Sequence, residues 1–184
     1  MTNHSDTLKS LAQEAQARAA DLRDWFDPGL KDIPVETLKQ RYCDQHSRFV
    51  EVDGLDIHYR DLGPEVTDAD KAPLLLIHGL MSSLHCWEGW MPTLSRNRRV
   101  VALDIPPFAI TGPHPKGLLD EATYMQLMLG FVDAVGLERF IAVGNSLGGF
   151  LSWRLAVEAP ERVQALCLLD PAGGTERLPL AVSA

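Results

Sequence analysis

Ser146 stands among glycines in Gly144-Asn145-Ser146-Leu147-Gly148-Gly149, between the apolar run Phe140-Ile141-Ala142-Val143 and a helix-forming run. A G-x-S-x-G corner between strand and helix holds its serine in a strained conformation, with the hydroxyl clear of the sheet edge and able to act as a nucleophile. The glycines are needed because a Cβ at those positions would collide with the adjoining strand and helix. The helix beginning at Leu147 points its N–H groups and positive dipole end at any charge that develops there. A glycine-rich phosphate turn has similar spacing, but the lysine of a Walker-type loop is missing.

Two further corners carry unusual residues. His78-Gly79-Leu80-Met81, followed by His85 and Trp87, ends the run "PLLLIHG", and Asp104 ends "RVVALD". In an open α/β sheet the chemistry gathers at such strand ends. The elements that must position them follow from the pattern. "SRFVEVDGLDIHYRDLG" alternates around Asp53-Gly54, which predicts a hairpin with strands near 48–52 and 55–61. Nearly continuous apolar runs then predict parallel strands near 73–77, 99–103, 140–144 and 163–169, covered on both faces. Helical patterning lies between them, near 83–95, 120–136 and 147–158. The expected class is α/β, with a mainly parallel sheet behind an N-terminal antiparallel hairpin. Residues 1–46 read as a helical extension, with an amphipathic helix from Ser5 to Phe26 stopped by Asp27-Pro28-Gly29. Residues 47–184 read as the core.

Composition narrows the partners. The chain has 184 residues, 46% hydrophobic and 23% charged, with net charge −8. That balance disfavours nucleic acid and anionic membranes and favours a soluble, cytosol-like protein. Three separated cysteines (Cys43, Cys86, Cys167) suit reduced thiols rather than a disulfide framework or zinc site, so no metal or cofactor is expected. There is no signal-peptide pattern and no run of the ~20 apolar residues that span a bilayer, so a cytoplasmic location is expected.

From about Phe49 to Gly174 the chain resembles the α/β-hydrolase fold superfamily, specifically serine hydrolases with an "HG" oxyanion loop. The resemblance rests on "VDGLDIHYRDLGP", "PLLLIHGLMSSLHCW", "VVALDIPPFAITGPHP" and "AVGNSLGGFLSWRLAVEAPERVQALCLLDPAG", in the family's order and spacing. It implies Ser146 as nucleophile and the N–H groups of Leu80 and Leu147 as oxyanion donors. His78 then looks like a structural member of its loop. Asp104 would accept loop N–H bonds, with a titrating role left open. Met81, His85 and Trp87 would line the pocket or pack the following helix. The implied reaction is acyl transfer to water from a small-molecule substrate with an ester, thioester, amide, lactone or activated C–C bond.

The family's order is serine, acid, histidine. Asp170, at the end of the last strand, is the candidate acid, since some members place it there. The histidines are His4, His46, His58, His78, His85 and His114, and none follows Ser146. One helical crossover needs about a dozen residues. The tail after Asp170 is therefore too short for the last two strands, the lid and the triad histidine, and the chain reads as C-terminally truncated. Pro107 and Ala109 also stand where the family shows glycine. Three readings follow: a serine hydrolase represented by an N-terminal piece, an inactive α/β-hydrolase-like binding protein, or an interaction protein docking through the N-terminal helix. The strand at 163–169, left without an outer neighbour, is expected to promote self-association.

Overall fold

The computed structural model describes residues 33–64, 71–115, 117 and 120–173. The helix expected at Ser5–Phe26 lies outside them. The chain divides into compact units Met1–Thr37 and Leu38–Ala184. Helix α1, Val35–Tyr42, was not legible in the apolar spacing because none of its residues is buried. Its start is marked instead by Pro34, whose carbonyl accepts the N–H of Thr37 at 2.9 Å.

The core is one six-stranded sheet in the order β1-β2-β4-β3-β5-β6. Strands β1 (Ser47–Val52) and β2 (Leu55–Leu62) form the antiparallel hairpin. Its turn residues Asp53 and Gly54 have φ of 52° and 78°. Positive values at both positions match the right-handed strand twist, which is why Asp-Gly is favoured there. β2 also runs antiparallel to β4. β3 (Leu74–Ile77), β4 (Val100–Leu103), β5 (Phe140–Asn145) and β6 (Val163–Leu169) are mutually parallel.

Every residue of β3 and β4 is buried. The alternate residues of each strand serve two different cores. Leu75, Ile77, Val101 and Leu103 pack with Met128, Phe131, Leu151 and Leu155, which lie on helices α3 (Glu121–Ala134) and α4 (Leu147–Glu158). Leu74, Leu76, Val100 and Ala102 pack on the other face against Leu84, Trp87 and Met91, from a short 3-10 turn (Leu84–Trp87) and α2 (Met91–Leu94). Cover on both faces is the physical reason these strands read as unbroken apolar runs. Burying one such side chain contributes about 1.5–3 kcal/mol, so each four-residue strand anchors the sheet strongly.

The order places β3 between β4 and β5, so the chain moves outward first to one side and then to the other. Such a reversal opens a crevice at the carboxyl ends of the two strands. Here those ends are Gly79 and Ser146.

Candidate active site

Ser146 links β5 directly to α4, with φ 50° and ψ −113°. For a residue with a side chain this conformation costs about 1–3 kcal/mol and persists only where the surroundings over-determine it. They do so here. The Ser146 N–H donates to Leu169 O at 3.0 Å, and its carbonyl accepts from Phe150 N–H at 3.0 Å and Ala172 N–H at 2.9 Å. A Cβ on Gly144 would overlap Gly148 O, and one on Gly148 would overlap the carbonyls of Ile77 and His78. One on Gly149 would stand 2.8 Å from Pro171 Cβ. The helix is thereby pressed against the sheet at its first turn. The Ser146 side chain makes no capping bond to the helix, so its hydroxyl is not consumed by structure.

The loop after β3 reaches the same spot. A Cβ on Gly79 would lie 3.3 Å from Ser146 Cβ and 2.8 Å from Asn145 Oδ1. Glycine is therefore required for Leu80 to pass close to the elbow. Leu80 is 62% exposed and Met81, at φ 53°, is 86% exposed. Leu147 is the first residue of α4, where a backbone N–H has no acceptor within the helix.

His78 is fully buried. Ile105 N–H donates to its Nε2 at 3.0 Å, which places the ring proton on Nδ1, donated to Gly79 O at 2.7 Å. Burial pushes its pKa below the ordinary histidine value, against the opposing pull of the Gly79 carbonyl and the Asp104 charge. With both nitrogens engaged it holds two loops together and has none free for Ser146. Asp104 is also fully buried. Its carboxylate accepts the N–H of Leu84 at 2.7 Å and of Ile110 at 3.4 Å, and its Oδ2 lies 2.7 Å from His58 Nδ1. Trp87 packs in the second core. His85 Nε2 lies 3.1 Å from Tyr42 O and 3.7 Å from Glu88, and His85 and Met81 both line a cavity of about 1050 Å³.

The register Asn145↔Leu169 brings Asp170 abreast of Ser146, at φ 47°. Among the described residues no histidine hydrogen-bonds Ser146: His46, His58, His78, His85 and His114 all have partners elsewhere. Among the described residues, a strained serine at a helix start, the Gly79 loop and the Asp170 strand end thus meet at one corner, and no histidine is bonded to the serine. The loop after β4 departs from the family's glycines as the sequence suggests. The Pro106–Pro107 peptide is cis and Ala109 sits at φ 52°.

A family model described as the α/β hydrolase fold matches residues 72–182, and the chain belongs to that family. Among curated proteins it is similar to 2-hydroxy-6-oxo-2,4-heptadienoate hydrolase of Pseudomonas putida, 35% identical over 68% of this chain and 45% of the relative. It is also similar to the dihydrolipoyllysine-residue acetyltransferase component of the acetoin cleaving system of Cupriavidus necator, 34% identical over 77% of this chain and 36% of the relative. Among solved structures a meta-cleavage product hydrolase from Pseudomonas fluorescens aligns with TM-score 0.61 and 29% identity, over 68% of this chain and 45% of the other. A membrane phospholipase A aligns with TM-score 0.66 and 28% identity, over 95% and 55%. The chain spans about half the length, or less, of the curated relatives it matches. No helix among the described residues is long and apolar enough to cross a membrane.

Proposed function

We propose that the chain carries the nucleophile-bearing part of a serine hydrolase that transfers an acyl group to water through Ser146. The observation that carries this reading is the left-handed backbone of Ser146 at the β5–α4 corner, held by three backbone hydrogen bonds and by glycines that admit no Cβ. Ser146 Oγ would attack the acyl carbon. The N–H groups of Leu80 and Leu147 would receive the oxyanion, an interaction of about 3 kcal/mol per donor in such sites. Asp170 would orient an imidazole supplied outside the described residues. The substrate would be an ester-like compound or an activated C–C bond, and the names of the similar dienoate and meta-cleavage product hydrolases favour the C–C bond.

A second reading is an inactive α/β-hydrolase-like binding protein, favoured by the absence of any described histidine at Ser146. The two readings separate on acylation. Incubation of the 184-residue chain with 4-nitrophenyl acetate is expected to acetylate the Ser146 peptide slowly, through oxyanion assistance without a base, and the adduct should be absent in Ser146→Ala. Turnover should be negligible, because loss of a triad member removes orders of magnitude in rate. Acetylation of Ser146 no faster than that of Ser82 or Ser83 would support the binding protein. Robust turnover lost in Ser146→Ala would reveal a base within the chain.

A further inference from the structure

The buried polar groups behind the Gly79 loop form a chain of hydrogen bonds that all run one way. The His58 N–H donates to Thr111 Oγ1 at 3.0 Å, and the Thr111 hydroxyl donates to Asp104 O at 2.7 Å. The same peptide group carries the Ile105 N–H, which donates to His78 Nε2 at 3.0 Å. His78 Nδ1–H in turn donates to Gly79 O at 2.7 Å. His58, Thr111, Asp104 and His78 are all buried. Every donor in the chain points toward the loop after β3. In a low-dielectric interior each bond of such a chain strengthens the next, by roughly 10–30%.

The last peptide group decides what the chain is for. Gly79 O and the Leu80 N–H belong to one planar trans peptide, in which C=O and N–H point in opposite directions. A bond that fixes the carbonyl therefore fixes the N–H. The His78 ring bridges Gly79 O and Ile105, which follows β4, and the sheet order sets β3 between β4 and β5. With Gly79 O held on the β4 side, the Leu80 N–H is turned to the side where β5 ends in Ser146. A Cβ on Gly79 would stand 3.3 Å from Ser146 Cβ, so that peptide passes close to the serine. The side chains of Leu80 and Met81 are largely exposed, which leaves the orientation of the peptide to the hydrogen bond.

We propose that His78 is the positioning residue for the Leu80 oxyanion donor, and that Thr111 supports it through the Asp104–Ile105 peptide, an inference that rests on acyl transfer at Ser146. His78 touches no substrate. It holds the Gly79–Leu80 peptide in the orientation an oxyanion needs before any charge has formed, so the donor does not have to reorganise during the reaction. The Ile105 N–H on Nε2 keeps the ring proton on Nδ1. The Thr111 hydroxyl, bonded to the carbonyl of the same peptide, makes that N–H a stronger donor.

Two substitutions of His78 separate positioning from simple bracing of the two loops. An asparagine nitrogen reaches where Nδ1 stands, so His78→Asn keeps a donor for Gly79 O and loses the bond from Ile105. A glutamine side chain reaches where Nε2 stands, so His78→Gln keeps an acceptor for Ile105 and loses the donor to Gly79 O. The test follows phosphonylation of Ser146 in the intact chain by a fluorophosphonate, with saturation kinetics separating binding from the chemical step. His78→Gln should lower the limiting rate about tenfold at an unchanged half-saturating concentration, while His78→Asn stays within about threefold of wild type. Equal slowing by both, or greater slowing by His78→Asn, makes His78 a brace only and overturns the proposal. Thr111→Val, remote from the loop, should slow labelling about threefold, with Thr111→Ser restoring it. A wild-type rate in Thr111→Val counts against the relay, and this pair decides the matter should neither His78 variant fold. No labelling of Ser146 in the wild-type chain defeats acyl transfer itself, whereas labelling that neither His78 variant alters defeats the positioning role alone.

Discussion

The corners after β5 and after β4 both force a residue with a side chain into the left-handed region, Ser146 at φ 50° and Ala109 at φ 52°. They differ in what the conformation delivers. At the first, glycines on both sides let strand, helix and the Gly79 loop converge, and the strain presents a hydroxyl. At the second, the strain presents only a methyl group, in a loop secured by Asp104 through the Ile110 N–H at 3.4 Å and by the Thr111 hydroxyl donating to Asp104 O at 2.7 Å. Strain alone therefore does not mark a site. Strain that exposes a reactive atom, in a framework with no room for another residue, does.

The largest difference between the two corners is expected at Gly148. Gly148→Ala places a Cβ into the carbonyls of Ile77 and His78, and should cost about 3 kcal/mol or more in urea unfolding. Gly89 has nothing within 4 Å of its Cβ position, so Gly89→Ala should stay within about 0.5 kcal/mol. Similar losses at the two positions would mean that the elbow is not tightly built.

The elbow also leans on an unguarded element. Ser146 N–H bonds Leu169 of β6, and among the described residues β6 pairs with β5 alone. Leu166, Leu168 and Leu169 are each more than a third exposed. Light scattering should show concentration-dependent association of the chain. Leu168→Lys should weaken it, while an equivalent change on the β4 side, Val101 being buried, would unfold the core instead. A wild-type monomer at all concentrations contradicts the open edge.

Smaller effects sharpen the contrast. Ala109→Gly and Ser146→Gly should each stabilise by about 1 kcal/mol in thermal unfolding, because glycine meets no Cβ penalty at positive φ. Only the second should abolish acylation. A destabilising Ala109→Gly would show that its methyl is needed for packing. The smallest effect is that of His78. Its folded pKa lies below the unfolded value of 6.5, so the unfolded chain binds the proton first. Its contribution is thus complete above about pH 6.5 and lost as pH falls toward the folded value. Melting temperatures between pH 8 and 5 check the sign, and a His78 ring still neutral by NMR below pH 6.5 identifies the source.

Much of this architecture was readable from residues. The β3 and β4 runs are unbroken because both faces are covered. Asp53-Gly54 announces its turn, and Gly-Asn-Ser-Leu-Gly announces the elbow. The buried contacts of His58 and Arg60 were not legible. His58 and Arg60 fall on the β2 face that period-two alternation assigns to water, yet both are buried, because Asp104, Ser47 and Glu88 reach them from distant segments. Polar residues at alternate strand positions carry that signal only once their partners are known. Helix α1 was missed for the opposite reason, since a helix with no buried residue leaves no apolar stripe.

Ser146 as a presented nucleophile is tested most directly by competitive labelling of the chain with a fluorophosphonate. Phosphonylation should appear on the Ser146 peptide before any other serine peptide and vanish in Ser146→Ala. Ser152, buried and donating to Gly148 O at 2.7 Å, should remain unlabelled throughout. Labelling spread evenly over exposed serines, or unchanged in Ser146→Ala, would contradict the central claim.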